Sequence, residues 1–273
     1  MGRWYKSARR NVLDWLATFG LSLHQLRLSL QNWPRFRRDL AEFRRQKAAD
    51  DPDLFSEGKL YPWLHDKDDS SGVAMGPYFH QDLLVARKIY QNKPRRHVDV
   101  GSRIDGFVAH VAVFREIEVL DIRPLLSNTL NIKFTQADLS GELPVELIGC
   151  CDSLSCLHTI EHFGLGRYGD PIKYTGYLAG LKNLQRILAQ GGKFYFSTPI
   201  GPQRVEFNAH RVFSMRYLLH LLTPYYRIDS FAYVDDDGHL KDGIDLRAMD
   251  IQPQIDVNLG CTLGCGIFEL TKK

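Results

Sequence analysis

The period of apolar and polar positions changes near residue 80. Before it, Val12, Leu13, Trp15, Leu16, Phe19, Leu23, Leu26 and Leu30 recur close to helical spacing, which predicts a helix over residues 8–31. A second helix is expected from Pro34, since proline suits a first helical turn, to about Ala49, with Arg35, Arg37, Arg38, Arg44, Arg45 and Lys47 on its exposed side. Residues 50–71 are rich in Asp, Pro, Ser and Gly and read as a linker. From residue 80 onward, short apolar runs alternate with helical patterns, as in a mostly parallel sheet. Strands are predicted at 96–100, 117–121, 132–137, 152–157, 192–198, 226–234 and 262–270, and helices at 80–91, 106–115, 173–190 and 214–222. The last two strands follow a helix and lie close together, which favours an antiparallel edge pair. The pattern divides the chain into an extension and linker, residues 1–70, and a seven-stranded α/β domain, residues 71–273.

Charge sharpens that division. Residues 1–48 hold eleven Lys/Arg against three Asp/Glu, whereas the rest is mildly acidic within an overall net charge of +3. A basic amphipathic arm on an acidic domain fits three partners: a membrane surface, another protein or the domain itself, and nucleic acid through phosphate contacts. No RNA-binding module accompanies the arm, so nucleic acid is the least favoured. No run of 18 apolar residues predicts a membrane span, and no compact apolar leader precedes a small-residue cleavage site. A cytoplasmic protein is therefore expected, with peripheral contact at the inner face of the membrane if the arm binds lipid. The five cysteines are odd in number and sit mostly in strand-like runs, as reduced thiols do. Cys261 and Cys265 lack a second Cys/His pair, and no metal is expected.

Candidate chemistry starts where the first strand ends. Residues 95–107 read RRHVDVGSRIDGF, an apolar run carrying Asp99 and followed by a glycine turn. Asp121 closes the next apolar run about 20 residues later. Glycine lets a backbone approach a ligand, and a strand-end acid accepts hydrogen bonds from ribose hydroxyls, so a nucleoside cofactor is indicated. The spacing alone does not separate a dinucleotide from S-adenosylmethionine.

The order VDVGSRIDGF, VLDIRPL, QADL, SLSCLHTIEHFGLGRYGD and LQRILAQGGKFYFSTPIG, over about residues 76–273, resembles the class I S-adenosylmethionine-dependent methyltransferases. More narrowly it is similar to the DUF268 group, often associated with bacterial surface-polysaccharide genes. The resemblance implies a Rossmann-like fold and S-adenosylmethionine as cofactor. It implies that Asp99, Gly101 and Ser102 form the turn under the methionine portion and that Asp121 takes the ribose hydroxyls. Ile122 would pack on adenine, Asp138 and Leu139 would read its amino group and face, and Ser155 to His158 would close the pocket beneath the sulfonium. One departure is that Arg103 and Asp105 stand where the family has glycines, with Gly106 one position late.

The segment His158-Thr-Ile-Glu161-His162 has the form of an inverted zinc-peptidase motif, but it follows a strand and lacks a third ligand in a helical context. At the carboxyl end of a fourth strand, the same residues suit proton removal from an attacking hydroxyl: His162 first, His158 second, with Glu161 orienting a histidine or binding a sugar hydroxyl. The loop that follows offers Tyr168 to stack on a sugar, Asp170 for hydroxyls and Arg167 for a carboxylate or phosphate. His210 and Arg211 are candidate lip residues. The expected activity is O-methylation of a surface or capsular sugar or its precursor. The alternatives are an RNA methyltransferase using the basic arm and a binding subunit with a degenerate cofactor turn.

Overall fold

A computed structural model describes residues 19–20, 22–50, 55–67 and 70–273. The chain divides into two units, residues 1–73 and 74–273. In the first, α1 (Leu23–Ala49) starts from Ser22, whose Oγ accepts the Gln25 N–H at 3.2 Å. The predicted break at Pro34 does not occur. The helix runs through Pro34, forgoing one backbone bond, and its first turn lies at Leu23 instead. The predicted helix before residue 19 lies outside the described residues. No side chain of α1 is buried, and its Leu23, Leu26 and Leu30 are more than half exposed. Among the described residues, no helix is long and apolar enough to cross a membrane.

The second unit is the expected Rossmann-like α/β sheet, with eight strands where seven were predicted. β1 (His97–Val100), β2 (Ile117–Asp121), β3 (Ile132–Gln136), β4 (Cys151–Leu157), β5 (Leu188–Ile200), β8 (Tyr226–Val234), β9 (Leu240–Lys241) and β10 (Gly264–Lys272) form it in the order β3-β2-β1-β4-β5-β10-β8-β9. The first five are parallel, and β10 enters antiparallel between β5 and β8. The eighth strand, β9, is a two-residue edge too short to leave a period. A separate hairpin pairs β6 (Arg204–Glu206) with β7 (His210–Val212).

Alternation across the pleat puts successive side chains on opposite faces. Val98, Val100, Leu154, Phe194, Phe196, Phe268 and Leu270 pack on one face against α4 (Gly176–Ile187) and α5 (Met215–Leu222). Ile117, Val119, Leu157, Tyr195 and Ile267 pack on the other against α2 (Pro77–Asn92) and the short α3 (Ala109–Ala112). The predicted helix 106–115 is cut down because Gly106 takes φ −123°, ψ −115° inside a π-type turn, Ile104–Val108. The helix predicted to reach residue 190 ends at Ile187, and extended backbone begins at Leu188. The last α-helix among the described residues, α6 (Gln252–Asp256), was not predicted.

Candidate active site

Parallel strands end together, so the turns after β1, β2, β3 and β4 converge at one edge of the sheet. There they enclose a cavity of about 460 Å³. Its floor is the turn after β1. Asp99 is fully buried and does not line the cavity. It accepts the Ser102 N–H (3.0 Å), the Ser102 hydroxyl (2.8 Å) and the Ser155 hydroxyl (2.5 Å), and so pins the turn to β4. Burial raises its carboxyl to about 6 against the pull of those serines. His97 continues the network, with Nδ1 2.8 Å from Ser153 Oγ and Nε2 3.2 Å from Ser155 Oγ. Burial, aided by Arg115, lowers it to about 3 and keeps it neutral. Gly101 has φ +73°, and a Cβ there would lie 2.3 Å from Thr159 Cγ2. Only glycine lets the first and fourth turns meet this closely.

The adjoining wall comes from β2 and β3. Asp121, Ile122, Arg123, Asp138, Leu139 and Ser140 line it. Gln136 Nε2 donates to Ile122 O (2.8 Å) and Ala137 N to Asp121 O (2.9 Å), fastening the two strand ends together. Asp138 accepts both the N–H (2.8 Å) and the hydroxyl (2.7 Å) of Ser140. Arg123 engages Asp121 fully: its N–H (2.8 Å) and Nε (3.0 Å) donate to Oδ1, and Nη2 donates to Oδ2 (2.6 Å). At the cavity mouth the exposed Arg103 and Asp105 pair with each other (2.7 Å), so the residues that replace the glycines neutralise one another.

The opposite wall follows β4. Leu157, His158, Thr159 and His162 line the cavity; Ser155 and Cys156 are buried and do not. His158 has φ 49°, a left-handed backbone for a residue with a side chain, held by two bonds from its N–H to Ser197 O and Oγ, both 3.1 Å. Its Nδ1 lies 2.9 Å from Oε1 of the buried Glu161. Burial works to lower this imidazole, but Cys265 and Glu161 outweigh it and hold it well above the ordinary value. His158 is thus tied to Glu161 through Nδ1, and its Nε2 is buried without a hydrogen-bond partner. His162 is likewise held through Nδ1, but by a backbone carbonyl. Its Nδ1 lies 2.6 Å from Ala209 O, which requires N–H there and leaves the lone pair on Nε2. Burial lowers its pKa, so it is neutral at pH 7. Ile160–His162 is a single 3-10 turn, and both Nδ1 atoms are engaged by protein oxygens; this is not the helix-borne pair of a zinc peptidase.

The lip differs from the sequence expectation. Of the loop residues, Tyr168 and Asp170 line the cavity. Asp170 accepts the N–H groups of Gly164 (2.6 Å), Gly166 (3.3 Å) and Tyr168 (3.3 Å), closing its own loop where a sugar hydroxyl was expected. Arg167 donates to Ala209 O (3.1 Å) and lies over the Tyr168 ring. Arg211 does not reach the cavity. It is buried, and it donates to Glu161 O (3.2 Å), Phe163 O (2.6 Å) and Tyr174 O (3.0 Å), clamping the segment that carries His162. His210 sits in the hairpin, 3.3 Å from Glu206, and also lies outside the lining. The lining also takes in polar residues that the sequence did not single out: Tyr78 and Asp82, brought in by α2 from before the first motif, Arg123 and Ser140. Burial raises Asp82, which accepts Gln81 Nε2 at 3.0 Å.

This geometry defines an open α/β protein with a nucleoside-sized site at its parallel strand ends. Residues 135–258 match the model of the family described as "Caenorhabditis protein of unknown function, DUF268", bearing out the resemblance over that stretch. No curated protein matches the chain. Among solved structures, the N-methyltransferase NodS from Bradyrhizobium japonicum WM9 with bound S-adenosyl-L-homocysteine is 13% identical, over 72% of this chain and 88% of its own, with a TM-score of 0.46. The 1,6-didemethyltoxoflavin-N1-methyltransferase of Burkholderia thailandensis is 12% identical, over 71% and 78%, with a TM-score of 0.46. The [4+2]-cyclase SpnF is 15% identical, over 71% and 80%, with a TM-score of 0.49. Likeness at this level assigns no substrate or reaction to this chain.

Proposed function

We propose that this protein is an S-adenosylmethionine-dependent methyltransferase acting on a hydroxyl of a bacterial surface or capsular sugar, or its precursor. The observation that carries the reading is one cavity ringed by a glycine turn after β1, Asp121 after β2, Asp138 and Leu139 after β3, and a neutral histidine after β4. Its 460 Å³ falls within the roughly 300–1,000 Å³ of small-molecule sites. The lining fits the cofactor: Asp121 and Asp138 offer acceptors, Ile122 and Leu139 an apolar slot, and Gly101 an open backbone. S-adenosylmethionine supplies an electrophilic methyl group when bound.

The chain's own residues then do two things. His162, neutral and with its free lone pair on Nε2, accepts the hydroxyl proton as the oxygen attacks, a step worth about 10²–10⁴-fold. Arg211 and Ala209 hold the turn that carries it. Tyr168 is edge-on to His162 with ring centroids 5.3 Å apart, and a sugar would stack on it by displacing one of the Arg123 and Arg167 guanidinium groups that lie over its ring. A lipid-linked sugar would also suit α1, whose exposed Leu23, Leu26 and Leu30 accompany Arg27 and would meet an anionic membrane surface.

Titration calorimetry with S-adenosylhomocysteine on wild type and Asp121→Ala tests the reading. Wild type should bind, and the substitution should weaken binding by roughly 100-fold, the loss of hydrogen bonds to a charged acceptor. Absence of binding by wild type, or binding unchanged by the substitution, overturns it.

A further inference from the structure

The acid best placed to receive the cofactor's ribose is already engaged by a neighbour in sequence. A carboxylate offers about four acceptor positions, and Arg123 fills three of those on Asp121: two on Oδ1 and one on Oδ2. A vicinal diol donating to both oxygens can coexist with the backbone N–H of Arg123 but not with its guanidinium, which spans the same edge of the carboxylate. The guanidinium has a second contact besides Asp121. Its carbon lies 4.4 Å from the centroid of Tyr168, which packs edge-on against His162 and carries a second guanidinium, that of Arg167, at 5.1 Å. Arg167 and His162 share one acceptor, Ala209 O. A continuous set of contacts therefore joins Asp121 to the proton-accepting histidine through Arg123 and Tyr168.

We propose that Arg123 is a built-in competitor for the cofactor at Asp121, and that cofactor entry, by displacing its guanidinium, releases one of the two cations that hold Tyr168 and so couples cofactor binding to the acceptor loop. The inference rests on the methyltransferase reading. It assigns to Arg123 a role that opposes ligand binding, whereas a residue that merely lines a site favours it. The Arg123 side chain is 44% exposed and that of Asp121 10%, so the pair has solvent into which the arginine can swing and is strong enough to compete without closing the site.

The experiment is calorimetric titration of S-adenosylhomocysteine into the full chain carrying Arg123→Ala, with Arg123→Gln as a second variant. Both should bind roughly two- to fivefold more tightly than wild type, the size expected when a part-exposed ion pair no longer competes. Tyr168→Leu, which loosens the hold on Arg123, should give a smaller gain of the same sign. Wild-type affinity should rise between about 0.05 and 0.5 M KCl, because salt screens the competing pair, and Arg123→Ala should lose that dependence. Affinity that is unchanged or weaker in both Arg123 variants overturns the competition and leaves the methyltransferase reading standing. Failure of wild type and of both variants to bind overturns the two together.

Discussion

The two walls of the cavity are built differently, although both are polar. On the cofactor side, Asp99, Asp121 and Asp138 sit at or just beyond strand ends, where the pleat and the neighbouring strands dictate which way each side chain points. On the acceptor side, the Gly164–Asp170 loop and the β6–β7 hairpin have no ladder to impose direction, and their polar groups turn to the nearest backbone. Asp170 satisfies three loop N–H groups and Arg211 three carbonyls, while Tyr168 alone presents its side chain to both His162 and the cavity. A strand fixes the direction of its polar side chains, whereas in a loop the unpaired backbone competes for them.

The sharpest break of that contrast is Arg211→Ala. Three carbonyls lose their donor, and the protein should lose about 3–6 kcal/mol in denaturant unfolding. Unchanged stability with weakened acceptor binding would return Arg211 to the site. Next comes His162→Gln, expected to lower turnover roughly 10²–10⁴-fold while leaving calorimetric cofactor affinity alone. The pH profile gives its sign. A base must be deprotonated to work, and burial has lowered this one, so the wild-type rate should be level near pH 7 and fall as pH drops below the ordinary 6.5. A rate that instead rose on acidification would exclude His162 as base. Smallest is Gly101→Ala on the cofactor side, costing roughly 2–3 kcal/mol from left-handed strain and the contact with Thr159. Adding Thr159→Ala should recover the contact portion and leave only the strain; no recovery in thermal unfolding would mean the two turns do not meet as described.

Much of the cofactor wall was legible. β2 and β8 have the predicted limits because a β-branched or aromatic run ends at a polar residue or turn in both. Asp99 and Asp121 could be placed from spacing, since strand length and pleat fix their position, whereas Asp138 came only from the resemblance. The acceptor wall could not be placed from spacing. His210 and Arg211 lie next to Asn208, whose φ of 63° turns the chain into a hairpin too short to leave an alternating pattern. Asp82 and Tyr78 lie on a helix that precedes every motif, and only the packing of α2 over the β1 turn brings them in. Arg123 was visible within VLDIRPL, but nothing in the order of residues says that an arginine two places after an acid will fold back onto it.

The place of β10 in the sheet has a consequence for how the protein is made. It comes last in sequence among the strands, yet it lies between β5 and β8 and pairs with both along its length. At ~5–20 residues per second, a ribosome needs several seconds after finishing β5 before β10 exists to cover it. Until then β5 and β8 each carry an open edge, and the aromatic-rich β5 is a ready template for a second nascent chain. The sheet therefore closes as one late, long-range event.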